Sequence, residues 1–326
     1  MKKALLGGLL FVVGLGLAHA SEFTMRLSHQ VPPTHHVAKV LDQFAEDVAK
    51  ETGNRVKVQI FGSEQAFKAG QNHAAVVRGQ IEAAIVTNFQ WGGTIPEMNV
   101  ITLPYFMTDL GRLQRFPGSE AARLLEQKLL EKGVKNIAWL YTSRQSIFTS
   151  NSKPLLTPAD FKGLKVRGLS KLVDESMVAV GAAPATMPGS EVYQALQTGV
   201  IDAGLTDVSA AYSRRYYEVQ KYGTVTPFFA VYFHLFVTPA WWDKLPADVR
   251  QGVERAAAKA EKDVIAVTEK TAAEAISQLK EKGMQLHVQK DAEAKQWSAV
   301  MQKPVIDAFR KTGPDSAKLI DLIEKL

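Results

Sequence analysis

The chain has 326 residues, no cysteine and a formal charge of +6, with 46% hydrophobic and 22% charged residues. Without cysteine it has neither disulfides nor thiolate chemistry, so an apolar core alone must hold it, and a chain of this length buries enough surface to do so. Lysines and acids are interspersed, and no basic stripe with interleaved aromatics occurs, which argues against a nucleic-acid-binding face.

Lys2 and Lys3 precede an apolar run, 4–18, and then Ala18-His19-Ala20. This is the pattern of a secretory signal peptide (1–20), with cleavage expected after Ala20. The run is short for a membrane span, and charges interrupt every later apolar stretch. The mature protein is therefore expected to be exported and soluble, and a cysteine-free exported chain suits a bacterial periplasm. Removing the leader leaves 37 basic against 33 acidic residues, a net charge of +4.

Residues 23–27 alternate as a strand. Thr34 is placed to cap a helix whose apolar face is Val37, Val40, Leu41, Phe44 and Val48. Val56, Val58 and Ile60 mark a second strand. A helix is expected over 67–78, ending at Gly79, and a more continuously apolar strand over 81–86. This β-α-β-α-β order with short connections predicts a doubly wound α/β unit. Its last strand runs into Thr87-Asn88-Phe89-Gln90-Trp91-Gly92-Gly93, a polar and aromatic loop at a strand's carboxyl end. That loop either closes over a ligand or plugs the core with its aromatic rings. A helix over 119–132 and a strand over 137–141 follow, and the strand leads to Arg144. Arg144 is a second arginine near a strand end, with an ion pair to an acid as its competing role.

A second α/β unit holds the stretch Lys162-Gly163-Leu164-Lys165-Val166-Arg167-Gly168. Leu164 and Val166 alternate as inward strand positions, and Ser170 can cap the next helix. In open α/β sheets, ligands bind beyond the carboxyl ends of strands, where Arg167 stands. A guanidinium is permanently charged and presents a planar fork that matches a carboxylate. Arg167 is therefore the candidate grip for a small organic acid. A segment 183–186, a helix over 191–198 and a strand over 200–205 come next. Thr206 follows as a potential hydrogen-bonding group, and Asp207 as a hydroxyl acceptor or a helix cap. A helix is expected over 209–219. The segments 224–226 and 231–237 read as connecting strands, the second aromatic-rich and mostly core. An Ala-, Glu- and Lys-rich helix over 248–282 can brace both units. A strand over 284–288 and helices over 292–311 and 315–326 complete the chain.

No phosphate-cradling, dinucleotide or helix-borne zinc motif appears, nor a nucleophile elbow. His35 and His36 are sequence neighbours, which disfavours a shared metal. No cofactor is called for.

The chain resembles the solute-binding proteins of tripartite ATP-independent periplasmic (TRAP) transporters, the dicarboxylate-binding (DctP) type. The resemblance rests on Gly163-Leu164-Lys165-Val166-Arg167, on 190–202 (Ser-Glu-Val-Tyr-Gln-Ala-Leu-Gln-Thr-Gly-Val-Ile-Asp), on 216–222 (Tyr-Tyr-Glu-Val-Gln-Lys-Tyr), and on Leu103-Pro104-Tyr105-Phe106 with Asp109. It implies a two-lobe periplasmic-binding-protein-like α/β fold with a long helix across both lobes. Residues 21–141 with 232–272 would form lobe I, and 142–231 with 273–326 lobe II. It implies a monomeric receptor, not an enzyme, that passes a small organic acid to membrane permease subunits. By the same resemblance Arg167 clamps the carboxylate, Arg144 assists, and Gln30, Thr87, Asn88, Phe89, Gln90, Trp91, Thr206 and Phe233 line the cleft. The sequence departs from the family pattern after Asp202: Ala203-Gly204-Leu205-Thr206-Asp207 brings a hydroxyl and an acid. This widens the candidate ligands to hydroxy, oxo, sugar and aromatic acids. Two readings stay open beside it: a periplasmic enzyme using His73 or His234 with a carboxylate, and a binding subunit for another importer or a sensor.

Overall fold

The computed structural model describes residues 21–326; the signal peptide and its cleavage site lie outside them. In the first sheet, β1 (Phe23–Ser28) pairs in parallel with β2 (Val56–Phe61) and β3 (Ala83–Thr87). Across the other side run β4 (Lys135–Ser143) and, from late in the chain, a strand Val231–Val237 antiparallel to both β3 and β4. The second sheet takes β5 (Ser146–Ser150), β6 (Lys165–Gly168), β7 (Ala183–Thr186), β8 (Ala203–Asp207) and β9 (Tyr222–Thr226). With the late strand numbered β10 and Gln285–Val288 numbered β11, the orders are β2-β1-β3-β10-β4 and β11-β9-β5-β8-β6-β7.

The chain passes from one sheet to the other at two strand connections, β4 to β5 and β9 to β10. The third tie is the helix Ala247–Glu281, 35 residues long, which spans about 50 Å at 1.5 Å per residue. Its first half, from Val249 to Val264, packs into the first core. Ala272, Ala275 and Leu279 pack under the second sheet. At the changeover Thr268 is fully buried, and its hydroxyl meets His36 Nε2 at 3.0 Å and the Tyr141 carbonyl at 2.8 Å. β10, Val-Tyr-Phe-His-Leu-Phe-Val, is buried along its whole length. That explains its almost wholly apolar sequence, interrupted only by His234: it is a central strand with neighbours on both edges.

Several local expectations change. The first helix (His36–Glu51) is capped by His35, not Thr34, because Nδ1 of His35 accepts the Val37 N–H at 3.2 Å. The helix expected over 67–78 shortens to a 3-10 turn, Ala69–Gln71, and a helix, Asn72–Val77. The helix expected over 209–219 ends at Ser213, because Arg215 takes a left-handed backbone (φ 62°) and a separate turn, Tyr216–Glu218, follows. Residues 96–115, unassigned from sequence, hold a 3-10 stretch, Pro96–Thr102, and a helix, Leu110–Arg115. The terminal helix Ser316–Glu324, expected with the second lobe, packs on the first: Leu319, Ile320 and Ile323 join its core. The preceding helix, Asp291–Phe309, is shared between lobes, with Trp297 and Met301 in the second core and Val305 and Phe309 in the first.

Gly252 fixes how closely the long helix approaches the first. A Cβ there would lie 2.7 Å from the Glu51 carbonyl oxygen. Alanine would gain about 1 kcal/mol of helix propensity, but the backbone cannot yield without separating two helices, which costs about 1–3 kcal/mol. Gly252→Ala is therefore expected to lower the urea midpoint. A raised midpoint would show that the contact relaxes freely.

Candidate functional site

Arg167 is the penultimate residue of β6, and β8 lies beside it with Val166 opposite Ala203. The side chain is 3% exposed. Nη1 donates to the Leu205 carbonyl at 2.6 Å. Nε and Nη2 share the Met187 carbonyl at 3.3 and 3.2 Å. The Phe89 ring centroid lies 5.8 Å from the guanidinium carbon. These bonds use three of the five N–H donors of a guanidinium, leaving one on each terminal nitrogen. No carboxylate of the described residues forms an ion pair with it. Burial is the main force lowering its pKa, opposed most by Tyr216. Gly168 makes the local packing possible, since a Cβ there would fall 2.2 Å from the Asp174 carboxylate. Asp174 accepts the Leu169 N–H at 2.7 Å and the Thr186 hydroxyl, and so holds the loop after β6.

Arg167 faces a small, partly enclosed cavity between the lobes. The first lobe contributes Gln30, His35, Thr87, Phe89, Thr142 and Phe233. The second contributes Arg167, Gly189, Thr206, Asp207, Ala210 and Arg214, and the crossing segment adds Phe229 and Val231. Phe233 stands opposite Thr87 in the β3–β10 register, which brings both to the cavity. Gln30 Oε1 and the Thr87 hydroxyl are buried without a protein partner. Asp207 caps the helix Val208–Ser213 through Oδ1 and the Ala210 N–H at 2.8 Å, and burial raises its pKa to about 6.

Other expected site residues lie elsewhere. Arg144 is absent from the lining. It makes a two-point contact with Glu269 of the long helix, Nη2 to Oε2 at 2.8 Å and Nε to Oε2 at 3.2 Å. Tyr141 Oη donates to the same carboxylate at 2.6 Å. Asn88 is fully buried and structural: it donates to the Met98 carbonyl and accepts the Tyr232 N–H, both within 3.2 Å. Trp91, 2% exposed, plugs the core, and its Nε1 donates to His234 Nε2 at 2.5 Å. Gln90 stands one layer back, accepting the Thr87 N–H at 3.0 Å and the Gln30 amide at 3.3 Å.

The catalytic alternative loses its partners. His234 meets Trp91 and the Asn136 amide, and His73 packs 4.1 Å from the Trp91 ring; neither forms an ion pair with a carboxylate among the described residues. The rings of His35 and His36 stack at 4.5 Å rather than diverging. Their nitrogens still serve separate partners, Val37 and Thr268.

Sequence reasoning missed His35 and Arg214. His35 reads as the first residue of the helix that Thr34 would cap, and Arg214 falls in what reads as an unbroken helix. His35 Nδ1 accepts a backbone N–H, so the hydrogen of the neutral ring sits on Nε2. Arg214 is half-buried, with Nε lacking any protein partner.

Two sheeted lobes, joined by strand crossings and a long helix, with a charged cavity between them, define a two-lobed solute receptor. The chain belongs to the DctP family, the bacterial extracellular solute-binding proteins of family 7, whose model matches residues 27–312. It is 31% identical over 315 residues to the C4-dicarboxylate-binding periplasmic protein DctP of Rhodobacter capsulatus, covering 94% of each chain. It resembles the TRAP periplasmic solute-binding protein of Desulfovibrio salexigens with bound orotic acid (TM-score 0.87, 27% identity, 93% of this chain and 97% of that one). It likewise resembles that of Sulfurospirillum deleyianum with bound succinate (TM-score 0.84, 26% identity, 93% and 99%). The family is a receptor class, and TRAP receptors work with membrane permease subunits.

The buried histidines make stability pH-dependent. Burial lowers the pKa of His29 and His36 from 6.5 to about 4 and that of His234 to about 3. The unfolded chain takes up these protons near pH 6.5 and the folded one does not. Their stabilisation is thus complete above that pH and is lost as pH falls toward 4. The slope is at most about 1.4 kcal/mol per pH unit for each histidine. Urea unfolding is expected to show a stability loss of several kcal/mol between pH 7 and 5. An unchanged midpoint would mean that these rings protonate freely in the folded state.

Proposed function

We propose that the cavity binds a small organic acid whose carboxylate is held by Arg167, and that the receptor carries it unchanged to a TRAP permease. The observation that carries this reading is the buried guanidinium with two N–H donors to spare and no protein carboxylate paired with it. A buried guanidinium whose hydrogen bonds go only to backbone carbonyls is under-satisfied, and a ligand carboxylate adds two charge-assisted hydrogen bonds. The ligands of the relatives, orotic acid and succinate, both carry carboxyl groups and support the assignment.

Closure follows from the lining. Gln30, Thr87 and Phe233 reach the ligand from one lobe; Arg167, Thr206 and Asp207 reach it from the other. Contacts to both lobes exist together only when the lobes are closed, so the ligand favours that state by differential affinity. The receptor acts as a monomer in the periplasm, after cleavage of its leader following Ala20.

A thermal-shift and calorimetric screen of small organic acids tests this. A ligand far above its dissociation constant stabilises the fold by RT ln(1 + [L]/Kd), so the bound class appears as the largest shift. Arg167→Ala is expected to lower affinity by more than about 100-fold, the cost of breaking a buried ion pair being about 3–5 kcal/mol. Arg167→Lys should lose most of the affinity too, since the ammonium lacks the planar fork. Near-normal affinity in a folded Arg167→Ala protein would overturn the reading.

A further inference from the structure

Two guanidiniums and one carboxylate face the cavity without pairing with each other. Arg167 and Arg214 flank Gly189: a Cβ there would lie 3.6 Å from Arg167 Nη2 and 3.4 Å from Arg214 Nη2, so the two groups are at most 7.0 Å apart, the sum of those distances. Arg214 has no side-chain hydrogen bond among the described residues, and its Nε is buried without a partner. Asp207 spends one oxygen on the Ala210 N–H, and the other has no protein donor among the described residues. The remaining titratable neighbours are neutral or engaged elsewhere. His35 is uncharged, Tyr216 keeps its proton, and Asp174 is held by Leu169 and Thr186 outside the lining.

With Asp207 ionised, the lining carries two positive charges and one negative one. One ligand carboxylate brings it to neutrality. A second would leave an excess negative charge in a cavity walled by Phe89, Phe229 and Phe233, where an uncompensated charge is poorly tolerated.

Resting on the reading that Arg167 holds a carboxylate, we propose that this cavity selects a monocarboxylate bearing a neutral hydrogen-bonding group, such as a hydroxyl or an amide, and that Asp207 rejects a second carboxylate. Arg214 and Thr206 would donate to the oxygen of that neutral group. Asp207 and Gln30 Oε1 would accept its hydrogen.

The test uses matched pairs that differ in charge alone: straight-chain diacids from malonate to adipate, each against its half-amide. Binding to the purified protein is measured by calorimetry at pH 7.5. At the best-fitting length the half-amide is expected to bind at least about tenfold more tightly than its diacid. Asp207→Asn keeps a good helix cap and should bring the two within about threefold, by admitting the diacid. A diacid that binds the wild type as well as its half-amide overturns the proposal, weak binding of both included. So does a ratio unchanged in Asp207→Asn. Arg167→Ala, run in parallel, separates the two levels of argument. Retained half-amide affinity there defeats the carboxylate–Arg167 reading itself, whereas lost affinity combined with a wild-type diacid preference defeats only the selectivity.

Discussion

The structure depends on keeping the Arg167 guanidinium charged while almost completely removed from water. Two backbone carbonyls do part of this, Leu205 from the neighbouring strand and Met187 from the loop after β7. Neither carries a full negative charge. The site is thus satisfied in hydrogen-bond geometry along one side of the fork and unsatisfied in charge. Much of the second lobe serves this arrangement. β6 must lie against β8 to present the Leu205 carbonyl. Gly168 must lack a side chain so that Asp174 can tuck beneath the strand and hold the following loop. The Phe89 ring, reaching across from the other lobe, covers the guanidinium face. A buried charge preorganised by fixed dipoles loses little when the ligand arrives, because its own desolvation occurred on folding.

Arg144 shows why an arginine near a strand end is an ambiguous signal. It sits where the chain crosses between the sheets, and it grips Glu269 on the helix that also crosses. Tyr141 adds a third group to that carboxylate, and one residue earlier Thr268 ties the helix to His36 and to the Tyr141 carbonyl. The crossing strand and the crossing helix are thereby fastened at one level. Arg167 and Arg144 have the same chemistry and similar positions in sequence pattern. What separates their roles is the presence of Glu269, more than a hundred residues away in the chain.

That contrast marks how far the sequence could be read. Strands and long helices were legible because burial imposes a period: β1 and β2 alternate, β10 is apolar but for His234, and the long helix repeats its small apolar face. Arg167 was legible because strand alternation placed it at a carboxyl end before a serine cap. Gln30, just past β1, Thr206, near the end of β8, and Phe233, within β10, line the cavity. The loop 87–93 was legible only in part. Phe89 faces the cavity, whereas Trp91 and Asn88 turn into the core, because a 3-10 turn alternates its faces in a way that composition does not reveal. Arg214 was hidden by a backbone event. The helical pattern continues through 209–219, yet Arg215 adopts a left-handed conformation and ends the helix.

Asp207 shows how one residue can hold a structural and a functional role without conflict. As a helix cap it uses a single oxygen, and a cap needs no more than that. Its position at the end of β8, next to the strand that carries Arg167, makes Asp207 part of the cavity wall. Burial raises its pKa to about 6, still below the neutral range, so the carboxylate stays mostly charged in neutral surroundings. The nearby guanidiniums work against the burial cost and help keep it so. The cavity therefore presents both signs of charge at fixed positions, and electrostatic fit must be judged on the whole lining rather than on the arginine alone. A receptor that relied only on Arg167 would accept any anion of suitable size. Under the selectivity proposed above, an acid built into the wall turns the same pocket into a counter of charges, separating ligands that all carry the same anchoring group.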